Sequence, residues 1–201
     1  MSELNFKIFR AVPKLEKTPQ LKDYHTTMRL PSNVPYVVDN LWEWKRPKNY
    51  PNRRHSFCSS PTPELALEAA EGGTAYTVEF KGRYKLCQVK AYKDSRYHPD
   101  CKSLKKLLPK LFEKHFSQDW INSNLSEKED FGKLWIPCLT KKDINHLFGS
   151  NEKLREIKDE IYNAITYWND VVLIKNGMNL PDPEGELFFE PEDGYELCSI
   201  E

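Results

Sequence analysis

Two carboxylates stand close together late in the chain, at Glu184 and Glu186, directly before the apolar residues 187–189. Carboxylates can stabilise a positive charge that develops in a reaction, but they are also common on solvated acidic surfaces. A plain acidic tail is therefore one interpretation of this segment. Against it, residues 187–189 and also Tyr195 and Leu197 need burial. The pattern favours a pair of strands, with both carboxylates at the entrance to the first.

A basic cluster, Arg53-Arg54-His55, precedes the two serines Ser59 and Ser60. Guanidinium groups and imidazole can bind a phosphate, although an ordinary polar loop is an equally simple explanation. The serines could be a turn before a helix, where capping favours the same residue types. The five histidines and five cysteines have no spacing typical of a metal site, so we expect a reduced, metal-free protein.

A tryptophan pair, Trp42 and Trp44, is followed by Lys45 and Arg46. Aromatic residues flanked by cations could stack on nucleobases, but tryptophan is more often a packing residue. The surrounding residues 28–61 are rich in Pro, Arg and aromatics, and this composition predicts an extended, packed loop instead of a regular helix.

The elements that position these residues follow from hydrophobic periodicity and from turn signals. Residues 4–12 alternate as a strand that carries Arg10. Thr62 and Pro63 predict the start of a helix over 63–71, and the runs 74–80 and 84–92 predict a hairpin.

Residues 102–168 are mostly helical in pattern, with Pro109 expected to kink or divide the first helix. The clearest helix spans 151–168, with Ser150 as its cap. Strands are predicted at 170–174, 186–190 and 195–200. The sequence therefore predicts an α+β fold.

The bulk composition sets limits on partners and location. The chain has 201 residues, 30 Lys plus Arg and 30 Asp plus Glu, so it has no net charge to attract nucleic acid or a membrane, and such a partner would need a local patch. We expect one domain over 1–201, with a helical insertion at roughly 102–168. The absence of a leader-like or membrane-spanning run predicts a cytoplasmic protein without membrane partners.

Three separated segments resemble, in order, the signature of the arginine-serine-glutamate ADP-ribosyltransferases. The first is Arg10 in KIFRAV, and the second is FCSSP at 57–61, which feeds the helix at 63. The third is EGELFFEP at 184–191. The second segment departs from the family pattern, because Ser60 stands where threonine is usual and Pro61 where the third serine would be.

This resemblance implies a β-sandwich-like core and the use of NAD as a substrate, with no metal. It implies that Glu186 is the catalytic glutamate, that Ser59 orients it, and that Arg10 holds the NAD phosphates. Ser60, Arg54 and His55 would line the same NAD site.

The resemblance implies a macromolecular acceptor near Glu184. A glutamate at that position slightly favours protein arginine. A nucleobase of RNA or DNA, or water, is the alternative acceptor. Small size, cytosolic character and the lack of a targeting signal fit a bacterial toxin of a toxin-antitoxin or phage-defence system, with an antitoxin protein as a partner, or a phage effector. A third hypothesis is a non-catalytic interaction domain that binds through the helix at 151–168 and the aromatic loop.

Overall fold

The computed structural model describes residues 4–24, 27–70, 72–116 and 131–200. Within these ranges the strands are β1 (Phe9–Val12), β2 (Gln20–Lys22), β3 (Phe57–Ser59), β4 (Thr74–Phe80), β5 (Tyr84–Val89), β6 (Val171–Ile174), β7 (Leu187–Pro191) and β8 (Tyr195–Ser199). The helices are α1 (Tyr36–Lys45), α2 (Pro63–Ala69), α3 (Asp100–His115), α4 (Lys141–Ser150) and α5 (Glu152–Ala164). The α+β prediction is confirmed at this level.

The strands form two four-stranded antiparallel sheets, with the orders β1-β4-β8-β2 and β3-β7-β5-β6. One hydrophobic core joins them, because apolar side chains of both sheets belong to the same buried cluster. This cluster includes Val78 and Leu197 from the first sheet, Ile8 directly before β1, and Phe57, Leu86 and Phe189 from the second sheet. Burial of such side chains is the main favourable contribution to the free energy of folding.

The hairpin predicted for 74–80 and 84–92 is wrong. Strand β4 pairs with β1 and β8, whereas β5 pairs with β6 and β7, so residues 81–83 carry the chain from one sheet to the other. Both strands have the length and composition of hairpin strands, but Val78 and Leu86 bury their side chains in the core between the sheets. The gain from that shared core outweighs local pairing of neighbouring strands.

The other predicted strands are confirmed with changed bounds. The first is shorter than 4–12, since regular pairing starts at Phe9, and the last three fall within a residue or two of their predictions. Strand β2 was not predicted. It has only three residues, Gln20–Lys22, at the edge of its sheet against β8.

The prediction of an extended loop over 28–61 is wrong, because α1 lies inside it. Val38, Leu41 and Trp42 follow helical spacing, and each is 0% exposed. Trp44 is 6% exposed and packs on Phe148 with ring centroids 4.7 Å apart. Both tryptophans are therefore packing residues, and the nucleobase-stacking alternative for them is wrong.

Three helices test the predictions about helix caps and about the proline within α3. Helix α2 begins as predicted, with Thr62 Oγ1 accepting from the Leu65 amide. Helix α3 continues through Pro109, so the proline does not divide it. The predicted helix 151–168 is shorter, and its cap is Asn151, whose Oδ1 accepts from the Leu154 amide at 3.0 Å.

Ser150 is the last residue of α4, not the cap of α5, and its Oγ donates to the Leu147 carbonyl. Trp168 lies in a separate 3-10 turn at Tyr167–Asn169. The chain leaves the helix after Ala164 because the residues that follow are fixed by Asp100, whose carboxylate accepts from the Thr166 and Tyr167 amides.

The chain divides into two compact units. The first, here called the sandwich unit, comprises residues 1–28, 47–97 and 169–201 and holds both sheets. The second, called the helical unit, comprises residues 29–46 and 98–168. Helix α1 thus belongs to the same unit as the helical segment expected at 102–168. No helix in the described ranges is both long and apolar enough to cross a lipid bilayer.

Candidate functional site

Three of the predicted site residues lie on neighbouring strands of the sandwich unit. At the end of β3, Ser60 and Phe9 form a bridge to β1, with N–H to O distances of 2.7 and 2.8 Å. On its other side β3 pairs with β7, where Ser59 lies opposite Leu187. The backbone positions of Arg10, Ser59 and Glu186 are therefore adjacent across β1, β3 and β7.

Arg10 and Ser59 face the core between the sheets. Ser59 alternates with Cys58 and so shares the inner face with Phe57, which belongs to the core. The Arg10 guanidinium lies 5.1 Å from the centre of the Phe57 ring and donates from Nη1 to the Cys58 carbonyl at 2.5 Å. Its Nε is buried and has no hydrogen-bond partner among the described residues.

Glu186 directs its carboxylate to the other face of the same sheet. Its Oε2 accepts from the Ser95 amide at 2.7 Å and also from the Ser95 hydroxyl. Arg53 donates from Nη1 to the same hydroxyl at 2.8 Å and lies 5.3 Å from the centre of the Phe188 ring. Phe188 alternates with the core residues Leu187 and Phe189, so this is the outer face.

The structure thus brings the predicted residues together in the backbone but separates their side chains. Glu186, at 7% exposure, is held by Ser95, while Arg10 and Ser59 lie on the opposite face of β3 and β7. Continuing the register by one residue places Ser60 next to Glu186 and on its face. By this alternation Ser60 faces the same side of the sheet as Glu186, whereas Ser59 faces the core.

Ser95 was missed by sequence reasoning. It lies in a short 3-10 turn at Ser95–Tyr97, is 0% exposed, and is linked by hydrogen bonds to both Glu186 and Arg53. The sequence around it, KDSRYHP, matches no motif considered for the site. Only the fold, which carries this turn over the outer face of β7, brings the three side chains together.

The predicted phosphate-binding residues Arg54 and His55 lie in the loop next to Arg53. Arg54 is buried, at 3% exposure, and His55 stacks on Tyr24 with ring centroids 5.9 Å apart. The loop is fixed to β7 through Glu190, which accepts from the Asn52 amide at 2.9 Å and from the Tyr24 hydroxyl at 3.3 Å. Burial of Tyr24 raises the pKa of its phenol, and the nearby Glu190 carboxylate raises it further.

The turn before β7 is fixed by Asp182. Its carboxylate accepts from the amides of Glu184 at 2.8 Å, Gly185 at 3.1 Å and Ala91 at 2.7 Å. Burial alone would raise the pKa of Asp182, but these amides and Lys90 lower it more, so the net pKa is below its ordinary value.

Gly185 is required between the two glutamates. A Cβ at this position would lie 2.2 Å from the Val89 carbonyl oxygen, which is closer than any side chain can approach. The glycine therefore lets the turn lie flat on β5. On either side of it, Glu184 is exposed to solvent and Glu186 is buried.

One group of potential metal ligands lies on the first sheet, away from the residues above. Glu79, Glu196 and Cys198 offer ligand atoms that all lie within 4.8 Å of one another. Lys81 already pairs with this group, since its Nζ is 2.6 Å from Glu196 Oε2. The expectation of a metal-free protein stays a prediction.

No family model, no curated protein and no solved structure matches this chain.

Proposed function

We propose that this chain is an NAD-dependent ADP-ribosyltransferase with Glu186 as its catalytic carboxylate. The observation that carries the proposal is the meeting of β1, β3 and β7, where Arg10, the serine pair and Glu186 occupy adjacent backbone positions. Nothing in the linear sequence requires residues 10, 60 and 186 to be neighbours. Their adjacency in the fold supports the function that the three motifs, taken in order along the sequence, indicate.

The proposed chemistry needs a carboxylate held in place before the substrate arrives. The glycosidic bond between nicotinamide and the ribose breaks, and its electron pair leaves with nicotinamide. The ribose carbon becomes positively charged, and a fixed carboxylate stabilises that charge chiefly in the transition state. Two hydrogen bonds from Ser95 hold one oxygen of Glu186, and Gly185 fixes the backbone before it.

The acceptor completes the reaction by attacking the same ribose carbon and losing a proton. Glu184 is the exposed carboxylate of this turn, so it is the group that a bound acceptor could reach. We propose a macromolecular acceptor, with protein arginine slightly favoured and a nucleobase or water as alternatives. Labelled NAD incubated with separate protein and nucleic-acid pools identifies which of them receives the label.

The separation of the side chains shapes how NAD would bind. Strand β3 ends at Ser59 and β7 begins at Leu187, so the side chains on the two faces of the sheet lie close to these strand ends. We propose that the nicotinamide ribose meets Glu186, Ser60 and Ser95 on the outer face. The phosphates would then extend around the strand ends towards Arg10, whose buried Nε is a donor without a partner in the described residues.

The decisive experiment compares Glu186→Gln with Glu190→Gln. Both residues are buried glutamates at β7, but only Glu186 has the proposed catalytic role. We expect Glu186→Gln to lower the rate of nicotinamide release from NAD by about 100-fold or more, by analogy with the loss of other charge-stabilising groups. Glu190→Gln should retain activity within a few-fold, and circular dichroism checks that both variants fold.

Equal activity of wild type and Glu186→Gln would refute the assignment. If the wild type releases no nicotinamide and shows no thermal shift at millimolar NAD, the interaction-domain hypothesis replaces it. In that outcome the contacts between Glu186, Ser95 and Arg53 are structural and hold the 3-10 turn on the sheet.

A further inference from the structure

Helix α3 carries a regular row of lysines on its solvent side. Lys102, Lys106, Lys110 and Lys114 recur at every fourth residue, Lys105 lies beside them, and all five are exposed. The other side of the helix is fixed in the core of the helical unit by Leu104, Leu108, Leu111 and Phe112, none more than 3% exposed. The row therefore cannot rotate inwards, and we call these five residues the lysine row.

The positive charge of the lysine row is not neutralised within the described part of the chain. None of the five lysines forms an ion pair there, whereas in the sandwich unit Lys81 pairs with Glu196 and Lys85 with Glu192. Like charges four residues apart destabilise a helix. If the helix bound no partner, replacing some of these lysines by acidic residues would make it more stable. The row therefore indicates a role in binding and not in stability.

Helix α3, which is described in full, carries few acidic groups. Glu113 is the one carboxylate on the exposed side of α3. At the end of the helix, Glu156 of α5 lies 3.4 Å from His115, and Lys153 donates to the Phe116 carbonyl and adds a further positive charge there. On the exposed side of α3 itself the five lysines outnumber the single carboxylate, although the whole chain is neutral.

We propose that the lysine row binds the sugar-phosphate backbone of a nucleic acid. Four residues of α-helix rise about 6 Å, so the backbone positions of these lysines are evenly spaced along the helix, which suits a linear polyanion. Lysine acts as a point charge and does not require a particular phosphate geometry. The exposed side of α3 has no aromatic residue to stack on bases, so the binding is independent of base sequence.

An anionic membrane surface fits the row less well. A helix that lies in a lipid interface places large apolar side chains beside its basic ones, whereas the leucines of α3 are directed into the core. An acidic protein partner would not need four lysines at equal intervals along one helix. The regular spacing therefore favours nucleic acid.

The test measures binding of the whole chain to a fluorescent 20-base-pair DNA and to an RNA duplex of equal length, by anisotropy over a range of salt concentrations. If about four phosphates are neutralised, the logarithm of the binding constant should fall with the logarithm of salt concentration with a slope of about −3 to −4. The variant Lys102→Glu/Lys106→Glu/Lys110→Glu should bind at least about 30-fold more weakly, with a slope near −1.

The matched control is Lys7→Glu/Lys14→Glu/Lys17→Glu, which makes the same change in net charge at three exposed lysines of the sandwich unit. It should bind within about three-fold of the wild type. Equal loss in both variants would mean that only net charge matters, and would overturn the proposal. So would tighter binding to poly-glutamate or to phosphatidylserine vesicles than to either duplex.

The glutamate variant is checked by circular dichroism, and Lys102→Gln/Lys106→Gln/Lys110→Gln replaces it if the helix is lost. The glutamine variant removes charge without reversing it, so it should still bind at least about ten-fold more weakly. The inference does not depend on the NAD chemistry, because nicotinamide release without a nucleic acid is measured separately and should be unchanged in these variants.

Discussion

Each unit holds a charged side chain that faces inwards, Asp100 in the helical unit and Arg10 in the sandwich unit, and the two differ in how completely they are hydrogen-bonded. In the helical unit, Asp100 is 1% exposed, and its carboxylate accepts from Trp42 Nε1 and the Tyr167 amide, each at 2.9 Å, and from the Thr166 hydroxyl at 2.6 Å. In the sandwich unit, Arg10 makes one hydrogen bond to a carbonyl, and its buried Nε has no partner among the described residues.

This contrast distinguishes Asp100, as a structural group, from Arg10, as a candidate for ligand binding. A buried group with all its hydrogen bonds made stabilises one arrangement of the chain, whereas an incomplete one costs free energy unless something else completes it. Asn40 in the helical unit belongs with Asp100, since its amide donates to the Leu134 and Ile136 carbonyls and accepts from the Leu139 amide. Arg10 is the group that a ligand could complete.

The largest expected effect comes from Asp100→Asn. The amide replaces one acceptor oxygen by a donor, so at least one of the Trp42, Thr166 and Tyr167 donors loses its partner inside the core. We expect the free energy of unfolding to fall by about 3 kcal/mol, as for other broken buried networks. Urea denaturation measures it, and Asp159→Asn on the exposed side of α5 is the control, with a change under about 0.5 kcal/mol. A loss as small as the control's would remove the contrast between the units.

Arg10→Met should have the opposite profile. It removes a hydrogen bond to Cys58 and the contact with the Phe57 ring, but it also removes the unsatisfied Nε. We expect the free energy of unfolding to change by less than about 1 kcal/mol while the KM for NAD rises at least about ten-fold. Arg83→Met, at an arginine side chain that is 78% exposed in the same unit, should leave KM unchanged.

A large loss of stability in Arg10→Met with an unchanged KM would place Arg10 with Asp100, as a structural group.

The smallest expected effect concerns Asp182 and pH. Its pKa in the folded protein lies below the ordinary 3.8, because the hydrogen bonds from backbone amides outweigh the effect of burial. A lowered pKa means that its contribution to stability is present above about pH 3.8 and is lost as the pH falls through the folded value. The difference in free energy of unfolding between wild type and Asp182→Ala should therefore be constant from pH 7 to 5 and shrink below pH 4. A difference that grows on acidification would contradict this.

Local signals predicted much of the fold correctly. The cap at Thr62, the start of α2 at Pro63 and the last three strands depend on residues close in sequence, and these predictions are confirmed. Predictions failed where contacts with residues distant in sequence determine which strands pair or whether a helix forms. Strand β4 pairs with β8 and not with β5, and α1 forms because its tryptophans are buried against other helices of its unit.

The candidate site shows the same limit. The sequence motifs indicated Glu186, Ser59 and Arg10 as site residues. The pairing of β1, β3 and β7 makes their backbones adjacent. The sequence could not show that the Glu186 side chain is directed to Ser95 on the outer face of the sheet, or that Ser60 lies on that same face. A shift of one residue in strand register moves each side chain to the other face of the sheet.

The strand orders also constrain when the protein can fold. Strand β7 lies between β3 and β5, and β8 lies between β4 and β2, so each sheet is built around one of these late strands. During synthesis neither sheet can close until residues 187–199 have left the ribosome, and contacts between residues so far apart form slowly. An enzyme of the proposed kind would consume NAD only after residues 187–199 have been synthesised and paired into both sheets.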